Sequence, residues 1–112
     1  MEKDEQWERV VYAFIKMTGK KPTLSSMLFL IGMRELGSAK KKFTKEQKQD
    51  LMHIAVCKLL SYAGFYALEG LDSEGWPIWK MLKPVPHISL QEQEHLLKSL
   101  IIEYFEKEGI HT

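Results

Sequence analysis

The stretch from Thr44 to Phe65 constrains the fold most, because it carries both a start and a stop for one long helix. Thr44 is a suitable N-cap, and Gln47 three residues later completes a capping box. Gly64 suits the left-handed conformation that often ends a helix. We therefore predict a helix over about residues 45–63. Its wide apolar face, at helical spacing, consists of Leu51, Met52, Ala55, Val56, Leu59 and Tyr62.

The opposite face of this helix carries the residues best suited to chemistry. A His and a Cys four residues apart can bind one metal ion, and a thiolate beside an imidazolium can act as a nucleophile. The pair alone is a weak pattern, and no other histidine stands at a metal-like spacing. We predict no catalytic residue, no metal and no cofactor, and keep a metal- or thiol-dependent enzyme using His53 and Cys57 as an alternative. The candidate polar strip consists of Asp50, His53, Cys57 and Ser61.

Three further helices are predicted from apolar residues at helical spacing, over about 3–18, 24–36 and 90–107. The last one begins with a second capping box, formed by Ser89 and Glu92. The first one has an apolar stripe consisting of Trp7, Val10, Val11, Phe14, Ile15 and Met17.

Gly32 stands inside the second of these helices, where glycine costs about 1 kcal/mol relative to alanine. A neighbouring backbone that packs closely against the helix is the usual reason for such a glycine. We therefore predict a close backbone approach at Gly32.

In residues 65–82 the apolar residues no longer follow helical spacing. Two aromatic and aliphatic segments flank the turn sequence Asp-Ser-Glu-Gly at 72–75, which predicts a β-hairpin. If Leu71 pairs with Trp76, each face of the hairpin is more apolar than a half-solvated ribbon should be. One face then carries Tyr66, Leu68, Trp79 and Met81, and the other carries Phe65, Glu69, Leu71, Trp76, Ile78 and Leu82.

The predicted fold class is mainly α (α+β), with four helices and one β-hairpin between helices three and four. We expect a single domain over residues 1–112, which is long enough to bury a core without disulfides. A single cysteine and a charged first segment favour a cytoplasmic protein. The longest apolar run, residues 27–33, is far shorter than the roughly 20 residues of a membrane span, so we predict no membrane association.

A nucleic-acid-binding role is a second alternative. The order of the elements resembles that of a winged helix followed by a dimerisation helix. However, the predicted wing tip contains Asp72 and Glu74, which phosphate would repel, and the chain has only two arginines. A formal charge of +1 gives no general attraction to nucleic acid. The candidate phosphate contacts are Lys40, Lys41, Lys42 and Lys45.

The hypothesis we favour is a non-enzymatic protein–protein interaction module. The hairpin offers more apolar surface than one small helical body needs, so a second copy of the chain or another protein is expected to cover part of it. A homodimer is the expected assembly. The residues expected in the contact are Phe65, Leu71, Trp76 and Ile78.

Overall fold

The computed structural model describes residues 2–37 and 42–110. Within these ranges it contains four helices and one two-stranded antiparallel hairpin, so the predicted fold class is confirmed. The helices are α1 (Glu2–Thr18), α2 (Leu24–Leu36), α3 (Lys45–Ser61) and α4 (Leu90–Lys107), and the strands are β1 (Tyr66–Leu71) and β2 (Pro77–Met81).

The described residues form two compact units, one built from α1 and α4 and the other from α2, α3 and the hairpin. The single domain over residues 1–112 stays a prediction. Over the described ranges, no helix has the length and apolar character that crossing a membrane requires.

In the first unit, α1 and α4 are joined by aromatic packing, by a hydrogen bond and by the Lys98 ammonium over the Trp7 ring. The rings of Phe14 and Phe105 lie 5.5 Å apart, and the Gln6 side chain donates a 2.9 Å hydrogen bond to Glu106. The predicted apolar stripe of α1 is wrong at its C-terminal end, because Ile15 and Met17 are exposed. Ile15 lies 100° around the helix from Phe14, and Met17 belongs to the last turn.

In the second unit, α2 and α3 pack with their backbones in direct contact. A Cβ atom placed on Gly32 would overlap the carbonyl group of Leu51 and lie 3.1 Å from its Cα atom. The close approach predicted at Gly32 is therefore confirmed. A salt bridge of 3.8 Å between Lys58 and Glu35 joins the same two helices at their partly buried sides.

Helix α3 begins as predicted, with both hydrogen bonds of the Thr44–Gln47 capping box present. Gly64 has a φ of +82°, in agreement with the predicted left-handed stop. The predicted apolar face of α3 is partly wrong, because three of its six members are only partly buried. It is also too narrow, because the helix is buried around most of its circumference. The buried residues of α3 are Leu51, Ile54, Ala55, Cys57, Leu59 and Leu60.

The hairpin contains a β-bulge that divides it into two registers. On one side of the bulge, Tyr66 pairs with Met81 and Leu68 with Trp79, as predicted. On the other side, Leu71 pairs with Pro77, so the predicted pairing of Leu71 with Trp76 is wrong by one residue. The extra residue is Glu69, and the following Gly70 has a φ of +148°, a conformation that favours glycine.

Candidate functional site

The bulge moves Leu71 to the opposite face of the hairpin from the one predicted. Residues directly opposite each other in a ladder share a face, and residues two apart along a regular strand also share it. Leu71 therefore lies on the same side as Pro77, Trp79 and Met81. We call this side the Leu68 face; it consists of Tyr66, Leu68, Leu71, Pro77, Trp79 and Met81.

The Leu68 face presents three large apolar side chains to solvent. Leu68, Leu71 and Met81 are 55%, 64% and 54% exposed, whereas Tyr66 and Trp79 beside them are half-buried. Apolar side chains are normal at a protein surface when they are scattered singly. Three on one face of a short two-stranded ribbon form a cluster, which is typical of an interaction surface.

The other side of the hairpin, the Ile78 face, is also apolar but carries a charge. It contains Phe65, Ala67, Ile78, Lys80 and Leu82, of which Ile78, Lys80 and Leu82 are exposed. Lys83, just beyond β2, places its ammonium group 4.8 Å from the centre of the Phe65 ring. This cation–π contact covers part of Phe65.

The four residues expected in the contact are therefore not equivalent. Leu71 and Ile78 are exposed but lie on different faces, and Phe65 and Trp76 are half-buried. Leu68 and Met81, which are not among the four residues expected in the contact, are also exposed. The sequence does place Leu68 and Met81 on one face, because Leu68 is two residues from Tyr66 along β1 and the pairing of Tyr66 with Met81 was predicted correctly.

Trp79 adds an unused hydrogen-bond donor to the Leu68 face. Its indole nitrogen is buried and has no hydrogen-bond partner among the described residues. A buried donor without a partner costs about 1–3 kcal/mol. The unpaired Trp79 nitrogen therefore destabilises the hairpin next to its exposed apolar cluster.

The turn at residues 72–75 is built by the Asp72 side chain. One carboxylate oxygen of Asp72 accepts hydrogen bonds from the backbone nitrogens of Glu74 at 2.8 Å and Trp76 at 2.9 Å. Gly75 completes the turn with a φ of +89°. Asp72 thus has a structural role, while the exposed Glu74 side chain leaves the turn tip acidic.

In the polar strip of α3, His53 and Cys57 lie side by side, with the thiol buried. Cys57 Sγ lies 3.5 Å from His53 Nε2, while Cys57 is fully buried and His53 is exposed. Burial raises the pKa of the Cys57 thiol to about 11. At neutral pH the thiol is therefore protonated, and a protonated thiol is a poor nucleophile and a poor metal ligand.

The other two members of the polar strip do not join this pair. Asp50 is exposed, and the Ser61 hydroxyl donates a 2.5 Å hydrogen bond to the backbone oxygen of Lys58. Asp50 and His53 instead line an open groove of about 360 Å³ together with the turn residues Asp72, Glu74 and Trp76. In the part of the chain that the structure describes, no three His, Cys, Asp or Glu side chains are grouped to hold a metal ion.

Two of the candidate phosphate contacts, Lys40 and Lys41, lie outside the described residues. The other two are exposed: Lys42 lies two residues before the Thr44 cap, and Lys45 is the first residue of α3. The next residue, Glu46, is acidic and belongs to the first turn of that helix. The described portion of this basic segment therefore carries charges of both signs.

Comparisons of the chain with protein-family models, with curated proteins and with solved structures found no significant match. Function is therefore inferred from the residues and the geometry of this chain alone.

Proposed function

We propose that this chain is a non-enzymatic interaction module that associates with a second copy of itself through its hairpin. The observation that carries this proposal is the exposure of Leu68, Leu71 and Met81 on one face of a two-stranded ribbon. An isolated two-stranded hairpin is at best marginally stable in water. Covering the Leu68 face would stabilise the hairpin and remove a cluster of apolar surface from water.

The magnitude of this apolar surface favours a weak dimer. Each leucine or methionine that passes from half-exposed to buried contributes on the order of 1 kcal/mol. A symmetric dimer buries these three side chains from each copy, so their sum is on the order of 6 kcal/mol. Association costs roughly 4–15 kcal/mol in translational and rotational freedom. These side chains therefore offset only the lower part of this cost, and we expect a weak dimer that forms at high protein concentration.

The two alternatives are less well supported. For nucleic acid, the turn tip of the hairpin is acidic, and an acidic tip is repelled by phosphate. For thiol chemistry, the raised pKa of Cys57 leaves almost no thiolate at neutral pH. A gel shift at low salt tests the first alternative, and metal analysis with thiol-reactivity measurements tests the second.

The proposal is tested by measuring the weight-average mass of the full chain by sedimentation at rising protein concentration. We expect the mass to rise from that of the 13.1 kDa monomer towards twice that value. Leu68→Thr combined with Leu71→Thr keeps residues that suit a strand but removes most of the exposed apolar surface from β1. This variant is expected to stay monomeric over the same concentrations.

A matched control is available in α1. Met17 is 62% exposed, nearly the same fraction as Leu71, and it belongs to a helix and not to the hairpin. Met17→Gln removes a similar exposed apolar side chain and keeps a good helix former. It is expected to associate like the unaltered chain. Equal loss of association in the control and in the hairpin variant would contradict a specific role for the hairpin.

A further inference from the structure

A groove of about 310 Å³ lies between α1 and α4, on two helices that the proposed self-association does not use. Its volume is that of about ten water molecules, at the lower end of the range for small-molecule sites. Each helix lines the groove with residues at the spacing i, i+3 and i+4, which places them on one face of that helix. The α1 residues are Gln6, Arg9 and Val10, and the α4 residues are Ile102, Phe105 and Glu106.

The floor of the groove is apolar. Val10 and Phe105 are buried, and Ile102 is half-buried. At the end of α4, Gly109 has a φ of +67°, and the Ile110 nitrogen donates a 3.0 Å hydrogen bond to the Phe105 oxygen. This helix stop turns the chain so that Ile110 also lines the groove. A ligand that fills the groove therefore needs an apolar part.

The polar lining carries one positive and one negative side chain, which are not paired with each other. Arg9 is exposed and forms no hydrogen bond or ion pair with the residues that the structure describes. One carboxylate oxygen of Glu106 accepts the 2.9 Å hydrogen bond from Gln6, and the second oxygen has no partner within the described ranges.

These two charges select the class of ligand. A simple anion would be attracted by Arg9 and repelled by Glu106, and a simple cation would meet the opposite pair of forces. A zwitterion offers a carboxylate to the guanidinium group and a donor to the free oxygen of Glu106. The groove therefore suits a small compound that carries both charges and an apolar group.

We propose that this groove binds a free α-amino acid with an apolar side chain. The carboxylate of the ligand accepts hydrogen bonds from Arg9, and its ammonium group donates to Glu106. Both charged groups of an α-amino acid are attached to one carbon atom, so they can stay at the mouth of the groove while the side chain packs against Val10 and Phe105. This site is independent of the hairpin and of self-association.

The proposal is tested by titrating the dilute, ¹⁵N-labelled full chain with L-leucine and recording ¹H–¹⁵N spectra. We expect the amide signals of Val10, Phe105 and Ile110 to shift and saturate, with a dissociation constant on the order of 1 mM, because a small ligand in an open groove binds weakly. The absence of saturable shifts at concentrations well above this value would overturn the proposal. Saturable shifts confined to residues outside the groove would overturn it as well.

Three analogues of leucine each remove one of the proposed contacts. Leucinamide lacks the carboxylate, 4-methylpentanoate lacks the ammonium group, and glycine lacks the apolar side chain. Each is expected to bind at least about fivefold more weakly than leucine. If 4-methylpentanoate or leucinamide binds as tightly as leucine, the site recognises a simple ion and not a zwitterion. If glycine binds as tightly, the apolar floor has no role. Either result would overturn the proposal.

Two variants assign the charged contacts to particular residues. Arg9→Gln is expected to weaken leucine at least about fivefold but to leave leucinamide within about twofold, because leucinamide has no carboxylate for Arg9 to bind. Glu106→Gln is expected to weaken leucine by a similar factor and to leave 4-methylpentanoate no weaker than before. Both side chains are exposed, and the spectrum of each variant verifies that it is folded.

Glu94→Gln provides a matched control, because Glu94 is an exposed residue of α4 that does not line the groove. It makes the same change in net charge as Glu106→Gln and is expected to bind leucine like the unaltered chain. Equal weakening by the control would reduce the effect to net charge. A variant that weakens leucine and its analogues equally would remove the assigned contact. Both outcomes would overturn the proposed mode of binding.

Discussion

Two regions of the same compact unit treat apolar surface in opposite ways. Where α2 meets α3, the packing is so close that the backbone of Leu51 leaves no space for a methyl group on Gly32. In the hairpin, which follows α3 in the chain, Leu68 and Leu71 are more than half exposed. The α2–α3 contact thus buries its apolar surface within the unit, whereas the hairpin exposes part of its own to solvent. The same residue type should therefore have different roles in the two regions.

The largest expected difference is between two leucines. Leu51 is fully buried, and Leu51→Ala is expected to lower the free energy of unfolding by about 2–5 kcal/mol, because it leaves a cavity in a packed core. Leu71 is 64% exposed, and Leu71→Ala is expected to change that free energy by less than about 0.5 kcal/mol in dilute solution. Denaturant unfolding at low protein concentration measures both. Similar costs at the two sites would remove the contrast between the regions.

The close packing of α2 against α3 is tested by adding a single methyl group at Gly32. Gly32→Ala forces α2 away from the backbone of Leu51, and a backbone cannot rotate aside as a side chain can. We expect a loss of about 3 kcal/mol in the free energy of unfolding, although alanine is the better helix former. Ser25→Ala, at an exposed position of the same helix, serves as the control and should change stability little. Stabilisation by Gly32→Ala would show that the two helices lie further apart.

The buried thiol of α3 gives a pH-dependent prediction. The pKa of Cys57 is raised by burial from 9.0 to about 11, so between these values the folded thiol is protonated while the unfolded thiol is ionised. The folded state then binds more protons, and its stability falls as the pH rises through this range. The full loss, reached at the upper end, is on the order of 2–3 kcal/mol.

Lysines and tyrosines titrate in the same pH range, so the prediction is made for the difference in unfolding free energy between the unaltered chain and a variant without the thiol. The free energy of unfolding of the unaltered chain minus that of Cys57→Ala is expected to decrease by this amount as the pH rises from 9.0 to about 11. Groups shared by the two chains cancel, and the cavity left by the substitution contributes a constant offset. A difference that does not change with pH would mean that the thiol is accessible to water.

The features that were predicted correctly depend on neighbouring residues in sequence. Both capping boxes, at Thr44 and Ser89, are present because each requires only a side chain and a backbone group three residues apart. The close approach at Gly32 was predictable because few other causes favour glycine inside an apolar helix. The choice between strand and helix for residues 65–82 followed from composition and turn residues.

The errors concern the relation between elements. The hairpin register failed beyond Leu68 because alternation alone does not encode a bulge; Gly70 inside a strand was the only local signal. The polar strip placed Cys57 with solvated residues because one helical period cannot reveal that α3 is covered on most sides. Because the bulge was not predicted, the face on which Leu71 lies, and with it the set of residues in the exposed cluster, could not be predicted from sequence.

The central claim, that the hairpin is the surface left for a second copy, is tested most directly by a dilution series of ¹H–¹⁵N spectra. The account predicts that the amide signals of Leu68, Trp79 and Met81 shift with protein concentration, while those around Gly32 stay fixed. Signals that remain unchanged at every concentration, or that shift elsewhere and not in the hairpin, would contradict it.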